Sequence, residues 1–358
     1  MHHLLDPVDN PLAAWLARRG EAAFRVGQIR QWLFARRAET FAEMTDLPQA
    51  LRDALAADFT IWTSRTIGEQ RADDGTVKLL LELADGQTVE CVLIREPRRR
   101  TICISTQVGC GMGCVFCASG LEGVARNLTA GEIVEQMLRL ARTLDADERL
   151  SHIVVMGMGE PLANLPALLP ALEVAPRPHG LRISSPRITI STVGLPPGID
   201  RLAKLGAPYS LAVSLHAPDD ALRNQLVRVN ARIGIDAILA AADRYFAATG
   251  RRLTFEYVLL ADINDRPRDA AALVNLLRDR IALLNVIPYN PVAGLPYRRP
   301  SEASITRFIE ALRQGGIDVQ VRKRKGDRID AACGQLRRQL GAADENATGE
   351  LARQTPAP

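Results

Sequence analysis

The sequence has no run approaching the ~20 consecutive apolar residues that a bilayer-spanning helix needs. Its first residues, Met1-His2-His3-Leu4-Leu5-Asp6, lack the basic segment and apolar stretch of an export signal. A membrane protein and an exported protein are disfavoured, and the cytoplasm is the expected location. Lysine is scarce: of 45 basic residues, all but Lys78, Lys204, Lys323 and Lys325 are arginine. Arginine offers planar, bidentate contacts to phosphate, although a GC-rich genome produces the same bias. No internal repeat stands out beyond an alternation of strands and helices. Apolar residues, in contrast, are not short. A content of 47% hydrophobic against 24% charged in 358 residues is that of an ordinary globular chain. At this length a fold hides about three quarters of its unfolded surface, so neither disulfides nor metals are needed to hold it together. Any metal site is then expected to be functional.

Six cysteines are present, Cys91, Cys103, Cys110, Cys114, Cys117 and Cys333. The cluster between 103 and 117 points to metal binding or thiol chemistry before structural disulfides. The net charge is only +4, but basic residues gather in two places. Arg95, Arg98, Arg99 and Arg100 form one group; Arg322, Lys323, Arg324, Lys325 and Arg328 form the other, each near a cysteine in sequence. A charge run is usually a solvated face, yet this placement raises the expectation of a nucleic-acid partner.

Helical spacing, as in Phe24, Val26, Ile29, Trp32 and Leu33 and then Leu47, Leu51 and Leu55, predicts a small helical domain over residues 1–58. From Thr60 to Ile94 the period shifts toward two around a turn at Ala84-Asp85-Gly86, predicting a β-hairpin unit over 59–100. Beyond it, β-branched runs at 102–106, 153–158, 188–192, 211–215, 253–259 and 284–287 alternate with helical segments, including 130–143, 235–248, 268–279 and 302–314. The pattern predicts an α/β fold in which crossover helices join parallel strands into an open partial (β/α)6 barrel over 101–340. Thr129 with Glu132 forms a capping box for the helix at 130. The tail, 341–358, is rich in Ala, Gly, Thr and Pro and is expected to be mobile.

The strongest chemical motif is Gly109-Cys110-Gly111-Met112-Gly113-Cys114-Val115-Phe116-Cys117, a C-x3-C-x2-C loop after the first barrel strand. Three thiolates in eight residues suit three irons of a 4Fe-4S cubane and leave the fourth iron open to a substrate. A structural zinc site would want a fourth ligand, for which His152 is the candidate. In Met156-Gly157-Met158-Gly159-Glu160-Pro161 the glycines let backbone approach a ligand, and Glu160 can accept a bond from an ammonium; an ordinary Gly-Pro loop has the same look. Polar residues recur at strand carboxyl ends, in Ser191-Thr192, Ser214-Leu215-His216 and Pro288-Tyr289-Asn290-Pro291. Those ends carry the active sites of α/β barrels.

The cysteine loop, with an aromatic residue before its last cysteine, resembles the radical S-adenosylmethionine (SAM) superfamily. The resemblance implies that Cys110, Cys114 and Cys117 hold the cluster, and that SAM chelated to it is cleaved by one electron to a 5′-deoxyadenosyl radical. It further implies that Gly159 and Glu160 contact the SAM amino group, with Ser191, Ser214, Leu215, His216 and Asn290 around the rest of the molecule. Two more segments narrow the likeness: Thr101 to Gly109, which holds Cys103, and Gly326 to Leu336, which holds Cys333. With the Gly-Met-Gly-Glu-Pro turn and Ser-Leu-His, they resemble the RlmN/Cfr family of RNA adenine methyltransferases, from Arg25-Val26-Gly27-Gln28-Ile29 to Leu336.

That second resemblance implies a division of labour. Cys333 takes a methyl group from one SAM, and a second SAM yields the radical that converts it into a methylene radical able to add to adenine. Cys103 then releases product by closing a disulfide with Cys333, and Glu90 accepts the ring proton. Cys91 is read as structural. The implied substrate is an adenine of 23S rRNA and, for part of the family, one beside the anticodon of some tRNAs. Carbon 2 is favoured over the Cfr-type carbon 8 as the commoner housekeeping activity. The helical domain and the basic clusters would hold RNA whose adenine is unstacked, an electron donor such as flavodoxin would serve the cluster, and the enzyme is expected to be a monomer. A radical SAM enzyme of another reaction type and a non-catalytic zinc RNA-binding protein are the readings from other classes.

Overall fold

The computed structural model describes residues 1–8, 10–206, 208–322, 325–326 and 329–336. The tail at 341–358, and Lys323, Arg324 and Arg328 of the second basic group, lie outside these residues.

The chain opens with β1 (His2–His3), α1 (Leu12–Arg18), α2 (Phe24–Phe34) and α3 (Gln49–Asp58), followed by β2 (Phe59–Thr60). β1 and β2 pair in parallel, so the helical segment starts and ends at one point. Its apolar stripes, including Trp15, Leu16, Ile29, Leu33, Leu51 and Leu55, are buried in a core continuous with the rest of the chain. Trp15 stands edge-on to Phe59 at 5.3 Å and donates from its indole to Asp58, which fastens the last turn of α3.

The strands that follow are β3 (Arg65–Arg71), β4 (Val77–Glu82), β5 (Thr88–Glu96) and β6 (Arg99–Cys103). A small hairpin, β7 (Gln107–Gly109) with β8 (Val124–Asn127), brackets the cysteine loop. The remainder runs α4 (Ala130–Arg142), β9 (His152–Val155), α5 (Leu165–Glu173), β10 (Ile188–Thr192), α6 (Pro196–Lys204), β11 (Ser210–Ser214), α7 (Asp220–Leu226), α8 (Ile235–Thr249), β12 (Leu253–Leu259), α9 (Pro267–Leu277), β13 (Ala282–Pro288), α10 (Glu302–Gln314) and β14 (Val319–Val321). One ten-stranded sheet has the order β14-β13-β12-β11-β10-β9-β6-β5-β4-β3. From β6 to β14 every pair is parallel, and β5, β4 and β3 continue the same sheet antiparallel. This is the open α/β barrel expected from the alternating pattern. Among the described residues no helix is long and apolar enough to cross a membrane.

Three features depart from the sequence pattern. β14 adds a seventh parallel strand; three residues are too few to register as a periodic run. β3 adds a third antiparallel strand, unmarked by alternation because six of its seven residues are exposed. The strand expected at 102–106 ends at Cys103, because Ser105 leaves the ladder. The Ser105 amide donates to Gln136 Oε1 at 2.8 Å and its carbonyl accepts from Gln136 Nε2 at 3.0 Å. A side chain of α4 thus stands in for a neighbouring strand and bends the chain toward the cysteine loop.

α4 begins with the predicted capping box: the Glu132 amide donates to Thr129 Oγ1 and the Thr129 amide to Glu132 Oε2. On the same helix Glu135, fully buried, accepts from the amides and hydroxyls of Thr63 and Ser64 and pairs with Arg139. It ties the segment after the helical region to the barrel. Glu135→Ala leaves these half-buried donors and Arg139 without their shared buried acceptor and should lower unfolding free energy by about 2–4 kcal/mol. Denaturant titration reads this directly, and a change below about 1 kcal/mol contradicts it.

Candidate active site

Seven parallel strands direct their carboxyl ends to one edge, and a cavity of about 140 Å³ opens there. Its walls come from the cysteine loop (Cys110, Phe116), the turn after β9 (Met156, Gly157, Gly159, Glu160), the ends of β10 and β11 (Ser191, Ser214, His216), the inner face of β12 (Glu256), and Asn290, Arg322 and Cys333. Residues scattered through the sequence meet here because parallel strands share one polarity.

Backbone geometry makes the turn after β9 a glycine site. Gly159 has φ +101°, and a Cβ on it would lie 2.6 Å from Gln107 Cβ. Glu160 beside it is buried, and each carboxylate oxygen accepts one amide bond, from Leu162 at 3.0 Å and from Val193 at 2.9 Å. Burial pushes its carboxyl upward, opposed by those bonds. A carboxylate oxygen has two acceptor directions, so Glu160 links β9 to β10 with acceptor capacity left for a ligand.

His216, at φ +63°, is also buried. Its Nδ1 accepts from the Val258 amide at 3.1 Å, which assigns the ring proton to Nε2 in the neutral form. Burial, aided by the charge of Arg223, lowers its pKa to about 3, so the ring stays neutral and presents a fixed donor. Phe116 meets the ring edge-on at 4.9 Å, which couples the aromatic residue before Cys117 to the ligand wall. Leu215 turns its side chain away from the cavity, fully buried in the main core, and takes part locally through its backbone: its amide donates to the Glu256 carbonyl at 2.9 Å and its carbonyl accepts from Arg223.

That carbonyl meets Arg223, which the sequence reading passed over. The fully buried guanidinium donates to the carbonyls of Leu215 at 2.8 Å, Val193 at 2.6 Å and Ser214 at 2.8 Å, and also to Asn230. It satisfies the strand-end carbonyls that otherwise face an apolar pocket, and burial lowers its own pKa to about 10. Glu256 was also missed, although a lone acid inside Leu253–Leu259 was a visible signal. Asn285 Nδ2 donates to both its oxygens, at 3.1 and 2.9 Å, and burial raises its pKa.

Cys333 reaches the site through its neighbours. The Ala118 amide donates to the Gly334 carbonyl at 2.8 Å, Ser119 Oγ to Leu336 at 2.6 Å, and Asn290 Nδ2 to the Cys333 carbonyl at 3.3 Å. The first two bonds fasten this loop to the residues just after Cys117. Cys103 is buried on the inner face of β6. Burial pushes its thiol up to about 12, and the next cause is Cys333, which places the two sulfurs within electrostatic reach. All six cysteines are free thiols. Cys91 points to the other face of β5, fully buried, and its thiol is pushed far up.

A second cavity of about 530 Å³ adjoins the first, and the two share Ile287, Asn290, Arg322 and Cys333. It is lined toward the amino ends of the strands by Thr101, His152, Thr189 and Gln320, with Arg99, Arg187 and Lys325 adding positive charge. His152, the zinc alternative's fourth ligand, therefore sits at the opposite strand end from the cysteine loop. Only part of the first basic group is available to a ligand: Arg95 and Arg100 both pair with Glu148, whereas Arg98 and Arg99 are exposed.

Residues 104–274 match the Radical SAM superfamily, and residues 2–61 match the ribosomal RNA large subunit methyltransferase N-terminal domain. A protein of Rhodopirellula baltica named probable dual-specificity RNA methyltransferase RlmN is 62% identical over 340 residues, covering 95% of this chain and 92% of its own. The chain belongs to the RlmN family. A Symbiobacterium thermophilum protein of the same name is 47% identical, covering 91% of this chain and 88% of its own. The crystal structure of a radical SAM methyltransferase from Sphaerobacter thermophilus superposes with a TM-score of 0.90 at 44% identity, over 94% of this chain and 99% of that one. Membership of the RlmN family makes this an enzyme, a radical SAM RNA methyltransferase, and implies a 4Fe-4S cluster and SAM. These names favour neither the carbon-8 nor the zinc reading.

The residues fit those groups. Cys110, Cys114 and Cys117 lie within electrostatic reach of one another, and a cubane asks for one thiolate per iron. Burial raises the thiols of Cys110, Cys114 and Cys117, and a bound metal would stabilise their thiolate forms against that cost. Asn290 Oδ1 is a buried acceptor without a partner among the described residues. It belongs to the cavity wall, as a pocket for a polar ligand such as SAM requires.

Two outcomes follow from an RlmN-family site built this way. Alanine at Cys110, Cys114 or Cys117 should remove cluster iron and its visible absorption while the far-UV spectrum is retained; iron retained at wild-type content contradicts the ligand set. Gly159→Ala should weaken SAM binding about tenfold or more, given the ~1–3 kcal/mol of strain at such a φ. Equilibrium binding to the reconstituted protein measures it, and unchanged affinity contradicts the close approach.

Proposed function

We propose that the chain methylates carbon 2 of an adenine in 23S rRNA, and of a tRNA adenine beside the anticodon, with the methyl group carried on Cys333. The observation supporting this reading is the place of Cys333: its loop is fastened to the cysteine loop, and it lies where the two cavities meet. A ring carbon of adenine is electrophilic and cannot displace the methyl of SAM as an amine would. The carrier thiol therefore takes a methyl from one SAM by polar displacement, and a second SAM is consumed in the same turnover. When bound, the cluster and SAM supply the radical that removes hydrogen from this methyl group and the one-electron acceptor that the ring adduct needs.

The remaining steps belong to this chain's residues. Once the methylene carbon has bonded to the ring, Glu90 accepts the ring proton: a C–H bond breaks, its electron pair restores the aromatic ring, and an O–H bond forms on the carboxylate. Cys103 then attacks the sulfur of Cys333. An S–S bond forms, the S–CH2 bond breaks, and the proton from the Cys103 thiol completes the methyl group of the product. A dithiol or thioredoxin-class reductant reopens the disulfide with two electrons and two protons. The second cavity would take the unstacked nucleotide, with Arg99, Arg187 and Lys325 near its phosphates. A monomer in the cytoplasm, served by a flavodoxin-class electron donor, completes the reading.

The test uses SAM with a trideuterated methyl group, reductant, anaerobically reconstituted enzyme and unmodified 23S rRNA, followed by mass spectrometry of the nucleosides. The product should co-elute with 2-methyladenosine and carry two deuterons, the third appearing in 5′-deoxyadenosine. A carbon-8 product would overturn the position, and no methyladenosine despite an intact cluster would overturn the reaction. Cys333→Ala should abolish transfer, and Cys103→Ala should leave RNA covalently attached to the enzyme, seen as a shifted band on a denaturing gel.

A further inference from the structure

Lys78 has no part in the chemistry above, yet its position is unusual for a lysine. It is only 4% exposed, and its ammonium lies 2.9 Å from a carboxylate oxygen of Glu90, itself 1% exposed. Burying two such charges usually costs as much desolvation as their attraction offsets, so stability alone is a weak reason for the pair. Buried charge pairs concentrate where a reaction needs a charge held in place.

The strand register shows what the pair faces. On β4 and β5, Leu80 opposes Glu90 and Lys78 opposes Val92, so the two charged residues are diagonal neighbours on one face. Val92 opposes Cys103 on β6, and Cys103 opposes Val154 on β9, which lines the second cavity. Lys78, Glu90 and Cys103 therefore share the face turned to the barrel interior. Lys78 Nζ also donates to the carbonyl of Asp330 at 3.4 Å, three residues before Cys333. The backbone of Glu90 is held as well: its carbonyl accepts from Ser105 Oγ at 2.6 Å, and that hydroxyl accepts from the Met158 amide at 2.8 Å in the turn beside Glu160. Lys78 thus touches the proposed proton acceptor and the loop of the methyl-carrying cysteine together.

We propose that Lys78 is a positioning residue for product formation: its ammonium holds the Glu90 carboxylate charged and in register with the Cys333 loop until the ring proton is transferred. This inference rests on Glu90 as the proton acceptor of the preceding reading. The transfer itself is unchanged: the ring C–H bond breaks and the O–H bond forms on Glu90, while the cluster, when bound, would supply the one-electron acceptor for the remaining unpaired electron. Lys78 moves no proton; it offsets the cost of a bare carboxylate in a closed interior. The step it serves comes after radical formation, so its loss should divide the reaction in a way that a merely structural residue would not.

The experiment compares reconstituted wild type, Lys78→Gln, Lys78→Arg and Glu90→Gln in single turnover with 23S rRNA. Three quantities are followed: 5′-deoxyadenosine, covalent protein–RNA adduct and free methyladenosine. For Lys78→Gln the expectation is 5′-deoxyadenosine at the wild-type rate, methyladenosine slowed about tenfold or more, and adduct accumulating. Lys78→Arg, which keeps the charge, should restore release to within about threefold. Normal release in Lys78→Gln, or 5′-deoxyadenosine falling in parallel with methyladenosine, overturns the inference. Should Lys78→Gln fail to fold, infrared difference spectra of wild type against Glu90→Gln decide instead: a carboxylate signal at neutral pH supports the inference, and a carboxylic acid signal overturns it. Glu90→Gln separates the two levels. If it releases product normally, the proton-acceptor reading fails; if it stalls while Lys78→Gln does not, only the role of Lys78 fails.

Discussion

The bond from the Ala118 amide to the Gly334 carbonyl, 2.8 Å long, joins the cysteine loop to the far end of the described chain. Its companion, Ser119 to Leu336, spans 217 residues of sequence. A methyl group carried on sulfur can react only if the carrier stays close to where the radical is generated, and a misplacement of about 1 Å costs heavily in such chemistry. These two bonds tie the loop of Cys333, the proposed carrier, to the cysteine loop proposed to hold the cluster. The rest of the fold surrounds that tie: β10 to β13 bring the ligand wall to the same edge, and Asn290 binds the Cys333 carbonyl from the end of β13.

Polar groups buried at this edge are the second theme. Arg223 answers the carbonyls of Val193, Ser214 and Leu215, Glu160 answers the amides of Leu162 and Val193, and the Val258 amide answers His216. Each such group would cost free energy if left alone in a dry pocket, and each is satisfied by backbone of the strand ends or of the turns beside them. The cavity wall is consequently rigid, with the His216 tautomer and the Glu160 carboxylate both set before a ligand arrives. Catalysis gains from donors and acceptors that need no rearrangement when charge shifts.

Much of this was legible in the sequence because it depended on neighbours in sequence. The cysteine loop, the Gly-Met-Gly-Glu-Pro turn and the capping box at Thr129 are local, and periodicity marked β10, β12 and α10 with their bounds. Arg223 and Asn285 were not legible, since an arginine and an asparagine look alike whether solvated or buried until their partners are known. Leu215 lies between two wall residues, but the turn at the end of β11 directs its side chain into the core and leaves only its backbone near the cavity edge.

By itself the sequence pointed to the reaction family through its resemblance to a known family, carried by three cysteines in one loop and two more with distinctive surroundings, and its periodicity determined an α/β alternation with parallel strands. The motifs that carry that resemblance and the periods of the strands and helices are both local in sequence. Only the tertiary structure decided which distant groups meet: Cys333 with the cysteine loop, Lys78 with Glu90, and two cavities that join at Cys333. The physical reason is that a pleated strand alternates its faces and a parallel sheet aligns its ends, so contact depends on register and strand order, which no stretch of neighbouring residues records.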